Sequence, residues 1–209
     1  MRGAQDDVPY GQRPMIACYP GTVRRDKGVV EAAAAVALLP PWLDARLVIA
    51  GDYSPPSYRE DVERAAAGRL EYLGYLSAED VRALLGRSRV MLALYHPSPN
   101  HVNSSPHKVF EGMAAGLPVL GSDLPALRET VGSHGCGILV DPRNPGAIAE
   151  ALQWLFTHPD QAAEMGGRGL ATVRAHYSWD QQARELLRLY HRLAGYAREA
   201  IRPPLPHPR

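Results

Sequence analysis

The sequence predicts an α/β fold, a parallel sheet with helices on both faces, from two observations. Short apolar runs rich in Val, Ile and Leu alternate along the chain with longer segments of helical periodicity, and a Gly, Pro or polar turn closes each run. Strands that alternate with helices lie parallel, because a parallel pair needs a crossover connection and a helix is the usual one. The expected result is a Rossmann-like parallel sheet. Its functional residues belong at the carboxyl ends of the strands, where loops meet helix N-termini.

Each element follows from local chemistry. A strand over 15–19 ends at the Pro20-Gly21 turn, and a helix over 27–39 follows until Pro40-Pro41 stops it, since proline donates no backbone hydrogen bond. A second strand covers 46–50 and ends at Gly51; a helix over 58–67 leads to a third strand over 70–73, closed by Gly74. Ser77 then caps a helix to 85, with Asp80 as its capping-box partner. A fourth strand over 90–95 runs into a long loop over 96–105, and a helix over 106–115 leads through Gly116 to a strand over 118–120. A short helix over 125–131 precedes the last strand, 137–140. Asn144-Pro145 opens a helix to 157, with the cap followed by proline in the first turn. Helices over 161–176 and 179–199 complete the domain, the second entered through a Ser178/Gln181 capping box.

The 209 residues are 45% hydrophobic, enough for a sizeable core, and suit one domain at about 100–200 residues each. Residues 1–13 read as a flexible N-terminus, 14–200 as the domain, and 201–209 as a proline-rich tail expected to be disordered. With 23 basic against 22 acidic residues, no excess of cations exists to displace counterions from nucleic acid. Cys18 and Cys136 stand in apolar settings and are too few for a disulfide framework or a zinc set, so they read as buried free thiols. The N-terminus carries acids and no apolar run, unlike a signal peptide. No apolar stretch approaches the roughly 20 residues of a membrane span. A cytoplasmic protein with no transmembrane segment is expected.

The cations are used unevenly. Only two of the 23 are lysines, Lys27 and Lys108, and a lysine meets phosphate as a compact point charge where arginine demands a planar fork. Lys27 follows Gly21, Thr22, Arg24 and Arg25 in a loop between strand and helix. Backbone amides and several cations gathered at a sheet rim suit a diphosphate; a solvated basic turn is the alternative.

Lys108 lies in the segment 103–119, Asn103-Ser104-Ser105-Pro106-His107-Lys108-Val109-Phe110-Glu111-Gly112-Met113-Ala114-Ala115-Gly116-Leu117-Pro118-Val119. Ser105 is a suitable N-cap and Pro106 a suitable first residue, leaving the amides of His107 and Lys108 free for an anion. Glu111, one turn on from Lys108 and His107, shares their face, and a carboxylate there can accept two ribose hydroxyls. The alternative is a plain Lys108–Glu111 helix pair. His96, His101 and His107 match no metal-binding spacing and have no carboxylate among them, so no metal is expected. No G-x-G-x-x-G follows a strand, which removes a dinucleotide fingerprint.

These residues resemble the donor-site signature of retaining glycosyltransferases of family 4, in the variant with Ser-Pro-x-Lys before the Glu. The resemblance runs over about 15–190 and includes Leu47-Val48-Ile49-Ala50-Gly51, Leu73-Gly74-Tyr75-Leu76, Leu124-Pro125 with Glu129, Gly137-Ile138-Leu139-Val140 and Tyr177-Ser178-Trp179. It implies a single C-terminal domain of the GT-B fold that binds a nucleoside diphosphate sugar (UDP, GDP or ADP type) with no required metal or cofactor. Lys27 then matches the lysine on the diphosphate and Glu111 the acid on the ribose. Ser104, Ser105 and His107 match the turn near phosphate and sugar, while Tyr75 and Leu76 lie near the base.

Leaving-group stabilisation would fall to Lys27, Lys108 and Arg24 or Arg25. Two positions depart from the family: Thr22 stands where an arginine follows the loop glycine, and Asn103 stands where the first acid of the pair is found. A complete GT-B enzyme also has an acceptor-binding N-terminal domain, for which a first strand expected within about 15 residues of the start leaves no room. The chain is therefore expected to be an excised domain, one subunit of a split enzyme, or an inactive sugar-nucleotide-binding or regulatory remnant.

Overall fold

The computed structural model describes residues 8–200. Its centre is one sheet of six parallel strands: β1 Ile16–Pro20, β2 Arg46–Ala50, β3 Leu70–Tyr72, β4 Val90–Ala93, β5 Val119–Ser122 and β6 Gly137–Val140. Their order is β3-β2-β1-β4-β5-β6. The chain thus builds outward from β1 in one direction, then returns and builds in the other, which makes the β1/β4 junction the topological switch point.

The helices are α1 Val29–Leu38, α2 Tyr58–Ala66, α3 Ala78–Arg87, α4 Pro99–Val102, α5 His107–Ala114, α6 Pro125–Leu127, α7 Pro145–Thr157, α8 Pro159–Thr172 and α9 Trp179–Ala200. One core packs α1, α2 and α7 against Ala17, Tyr19, Leu47, Ile49 and Leu92. The other packs α3 and α5 against Cys18, Val48, Met91 and Ala93. Side chains of a strand alternate between faces, so the same continuous apolar runs feed both cores, as in sheets covered on both sides. Each Leu, Ile or Val fully buried this way contributes about 1.5–3 kcal/mol. Cys18 and Cys136 are free and buried, and burial pushes the Cys18 thiol up to about 11.

Several boundaries differ from the expectations for identifiable reasons. The fourth strand ends at Ala93, because the Ser122 hydroxyl accepts from the Tyr95 amide at 2.6 Å and donates to the Tyr95 carbonyl at 2.9 Å. A side chain there does the work of a ladder partner. The loop 96–105 contains the single turn α4, preceded by Ser98. Ser105 does not cap α5: the N-cap is Pro106, in extended conformation and with no side-chain cap. The Ser105 hydroxyl instead meets Thr130 Oγ1 at 2.9 Å. The Ser77 and Asn144 caps form, accepting from Asp80 and Ala147.

The expected tail 201–209 and residues 1–7 of the expected flexible N-terminus lie outside the described residues. Within the expected flexible N-terminus, Tyr10–Gln12 form a 3-10 turn. The Tyr10 hydroxyl donates to the Arg89 carbonyl at 2.7 Å, and the Arg89 guanidinium donates to the carbonyls of Arg13 and Gly11 at 2.7 Å each.

Candidate functional site

The carboxyl ends of β1 and β4 meet at the switch point, where the loop after β1 is pinned on both sides. Gly21 donates its amide to the Ala50 carbonyl at 2.7 Å, Val23 donates to Asp52 at 2.9 Å, and Ser54 donates back to Val23 at 2.9 Å. Gly51 permits this union: its φ is 143°, and a Cβ there would stand 2.4 Å from the Gly21 carbonyl oxygen. Only glycine accepts both the left-handed backbone and that approach. Gly28, with φ 57°, lets the start of α1 close on Leu94, where a Cβ would be 2.8 Å from the Leu94 Cβ.

Within this frame the expected residues divide. Gly21, Thr22, Tyr75, Leu76 and Glu111 line one cleft of about 1520 Å³. It continues along α3 and α5 past Arg13, Arg82, Arg87 and Arg174. Tyr75 is 81% exposed, a bare aromatic at its rim. Glu111 is exposed on the cleft and has no ion pair with Lys108, so the plain helix pair is overturned. Asn103, Ser104 and His107 are exposed at the entrance to α5, and Ser105 is half-buried against Thr130. The amides of His107 and Lys108 belong to the first turn of α5, where helix geometry supplies no intrahelical acceptor.

Lys108 turns away from Glu111 into the protein. It is 8% exposed, and its Nζ lies 3.3 Å from the centre of the Tyr19 ring and 5.7 Å from that of Tyr95. No acceptor among the described residues reaches this nitrogen. A Cβ on Gly21 would stand 3.5 Å from it, so the side-chainless Gly21 is what separates Lys108 from the cleft. A ring face is worth about 2 kcal/mol to a desolvated cation, whereas burying an ion costs several kcal/mol. Burial wins and, with the nearby Lys27 charge, holds Lys108 well below the ordinary lysine value of 10.5.

The remaining cations are partly committed. Lys27 donates to the Thr22 carbonyl at 3.2 Å, and burial lowers its pKa, as does Arg24. The Tyr19 hydroxyl donates to the same carbonyl at 3.1 Å. Arg24 lies 3.3 Å from Asp26. Arg25 meets Asp61 of α2 at 3.0 Å and stacks on Tyr58 at 4.6 Å, so the α2 side already holds it.

His96 Nε2 lies 3.0 Å from Glu31 of α1, and His101 Nε2 lies 3.7 Å from Asp26. These contacts fasten the loop after β4 to the Lys27 turn. Among the described residues no cluster of three or more His, Cys, Asp or Glu side chains is placed to hold a metal. Tyr19, Tyr95, Ser122 and the Glu31–His96 contact escaped the sequence reading. A tyrosine at each of two expected strand ends was the available signal for the first two; nothing in sequence pairs Glu31 with His96.

Comparison with known proteins identifies the family. The profile described as "Glycosyl transferases group 1" matches residues 6–171. The D-rhamnosyltransferase WbpZ of Pseudomonas aeruginosa is 33% identical over 117 residues, covering 54% of this chain and 29% of that protein. The sucrose-phosphate synthase of Thermosynechococcus elongatus superposes with a TM-score of 0.75 at 24% identity, covering 92% of this chain and 48% of that one. The C-terminal domain of the group 1 glycosyl transferase LpcC from Francisella tularensis superposes with a TM-score of 0.66 at 20% identity, covering 78% of this chain and 86% of that one. The chain thus spans about half or less of the length of its full-length relatives.

A six-stranded parallel sheet in this order, with these matches, defines a GT-B glycosyltransferase domain. The chain belongs to the group 1 glycosyl transferases. None of its described helices is long and apolar enough to cross a membrane.

Proposed function

We propose that this chain is the C-terminal, nucleotide-sugar-binding half of a retaining hexosyltransferase of family 4 type, acting in the cytoplasm with an acceptor-binding half. The observation that carries the reading is the Lys108 nitrogen, buried at the switch point beneath Gly21 with no acceptor among the described residues. Such a group is costly in an apolar setting and is explained by an anion bound across Gly21. The uncapped first turn of α5, from which Lys108 projects, adds amides with no intrahelical acceptor. The match to most of a structure described as a C-terminal domain supports the assignment to that half.

In this reading the diphosphate of a UDP, GDP or ADP sugar lies over Gly21 and Thr22, at the first turn of α5. Lys27 and Arg24 supply positive charge from the loop, and Lys108 supplies it from below. Arg25 serves only if it leaves Asp61. Glu111 accepts the ribose hydroxyls, and Tyr75 and Leu76 border the base. Asn103, Ser104, Ser105 and His107 flank the sugar. As the glycosidic bond breaks, charge grows on the leaving diphosphate, and fixed donors and cations there lower the barrier without reorganising. No metal or cofactor is needed for that role. Calorimetric titration with UDP, GDP and ADP tests the reading; no binding by any of the three sinks it.

Asn103 favours a second reading, an inactive sugar-nucleotide-binding or regulatory chain. An amide can hydrogen-bond a sugar hydroxyl but offers no negative charge to a cationic transition state. Nucleotide binding with no transfer, even when an acceptor half is supplied, selects this alternative.

A further inference from the structure

Lys108 presents a chemical problem that the donor-site reading does not solve by itself. Its nitrogen is sealed from solvent, faces the Tyr19 ring and has no acceptor. The groups around it do not settle a charge there. From β1 it meets Tyr19 and Cys18; from beyond β4, Tyr95; from the loop, Lys27 with Asp26 behind it; from its own helix, Glu111, which points to the cleft. Both tyrosines are held neutral by burial. Cys18 is a buried thiol, and the Lys27 charge repels. Gly21, which has no side chain to fill the space next to the nitrogen, also lines the cleft.

We propose that Lys108 loads a proton when a diphosphate binds: it is a neutral amine in the free protein and an ammonium in the complex, so the nucleotide and one proton enter together. This rests on the donor-site reading and adds to it a proton linkage. The balance is simple. The amine lone pair takes a proton from solvent, and the new charge is paired with the anion across Gly21 instead of standing alone over a ring. The lowered affinity of the buried amine for protons supports the free-state half of the cycle.

Linkage gives the sign. At pH values below the depressed titration of Lys108 the amine is already charged, no proton is taken up and affinity is flat. Above that point, and below the titration of Lys108 in the complex, uptake approaches one proton. Affinity for the diphosphate then falls by about tenfold per pH unit. A surface lysine would show neither effect.

The chain has only two lysines, which makes a direct test available on the unaltered protein. Lysine labelled with 13C at Cε gives two signals, assigned with Lys27→Arg. They are followed from about pH 6 to pH 10, without and with saturating UDP, GDP or ADP. The expected result is a Lys108 signal with the amine shift in the free protein over part of this range, moving to the ammonium shift on adding nucleotide. Calorimetry in buffers of different ionisation enthalpy should then register uptake that Lys108→Met abolishes. Nucleotide binding with a Lys108 signal that is ammonium throughout, or that does not respond, overturns the proton-loading proposal and leaves the donor site standing. Absence of binding by all three nucleotides overturns both.

Discussion

A lysine held against the Tyr19 ring without an acceptor is a stability defect in the free protein, and that sets what its replacement should do. Met has nearly the same volume and no charge, so Lys108→Met removes an unpaired buried polar group that costs about 1–3 kcal/mol. The variant should unfold at higher denaturant concentration than wild type. It should also bind nucleoside diphosphate more weakly by about 1.5–3 kcal/mol, the worth of a charge-assisted hydrogen bond. Denaturation and calorimetry on one sample check both signs. A variant that loses stability and keeps affinity contradicts the role given to Lys108. The stability gain is itself pH-dependent. The folded-state pKa lies below the unfolded value of 10.5, so the unfolded chain binds the extra proton between the two. The part of the penalty that belongs to the charge is fully present below both values and disappears as pH rises through the window.

Glu111 supports a separate prediction, because its carboxylate stands on the cleft, out of reach of Lys108. Glu111→Gln should weaken binding of an intact nucleotide by about 1.5–3 kcal/mol. It should leave binding of the 2′,3′-dideoxy nucleotide unchanged. Equal losses for the two ligands would remove the ribose assignment.

At the scale of elements, the site depends on close approaches that only glycine permits. A Cβ on Gly112 would stand 2.6 Å from Met91 Cγ, so α5 rests directly on β4 through that residue. Gly112→Ala forces either helix or side chain to move. Overpacking of this kind costs about 1–3 kcal/mol, and the first turn of α5 should shift with the helix. Chemical denaturation should register the loss, and weaker nucleotide binding should accompany it. Full affinity in this variant would uncouple the seat of α5 from the ligand. Gly51→Ala is a harsher case, since the added carbon meets the Gly21 backbone itself.

The strands were the most legible elements. The second and sixth, 46–50 and 137–140, are found at their expected bounds, because glycine or a cap flanks short β-branched runs. What sequence could not reveal lay between elements. Ser122 shortens β4 from across the sheet, and Thr130 draws Ser105 from its cap position. The inward turn of Lys108 follows from the space beneath Gly21, which no local pattern encodes. The cleft residues Gly21, Thr22 and Glu111 were legible because loop chemistry and helix phase place them locally.

For the whole molecule, the decisive facts are the length of the relatives and the surface of α9. Full-length relatives extend to about twice this chain or more. On α9, Trp179, Leu186, Leu187, Leu189, Tyr190 and Leu193 are exposed, with 186, 190 and 193 at the three- and four-residue spacing of one helix face. Clustered exposed apolar side chains on a helix face suit contact with another body. The acceptor-binding half is the partner that the proposed function requires. The chain alone should therefore bind nucleoside diphosphate but transfer no sugar, and adding an acceptor half should restore turnover. Leu186→Glu with Tyr190→Glu should abolish that complementation while leaving nucleotide affinity intact, because among the described residues none of α9 lines the cleft. Transfer of labelled sugar from donor to acceptor, with each half alone and with both together, is the measurement. Turnover by this chain alone would refute the half-enzyme reading, and complementation undiminished by the two glutamates would move the docking surface elsewhere.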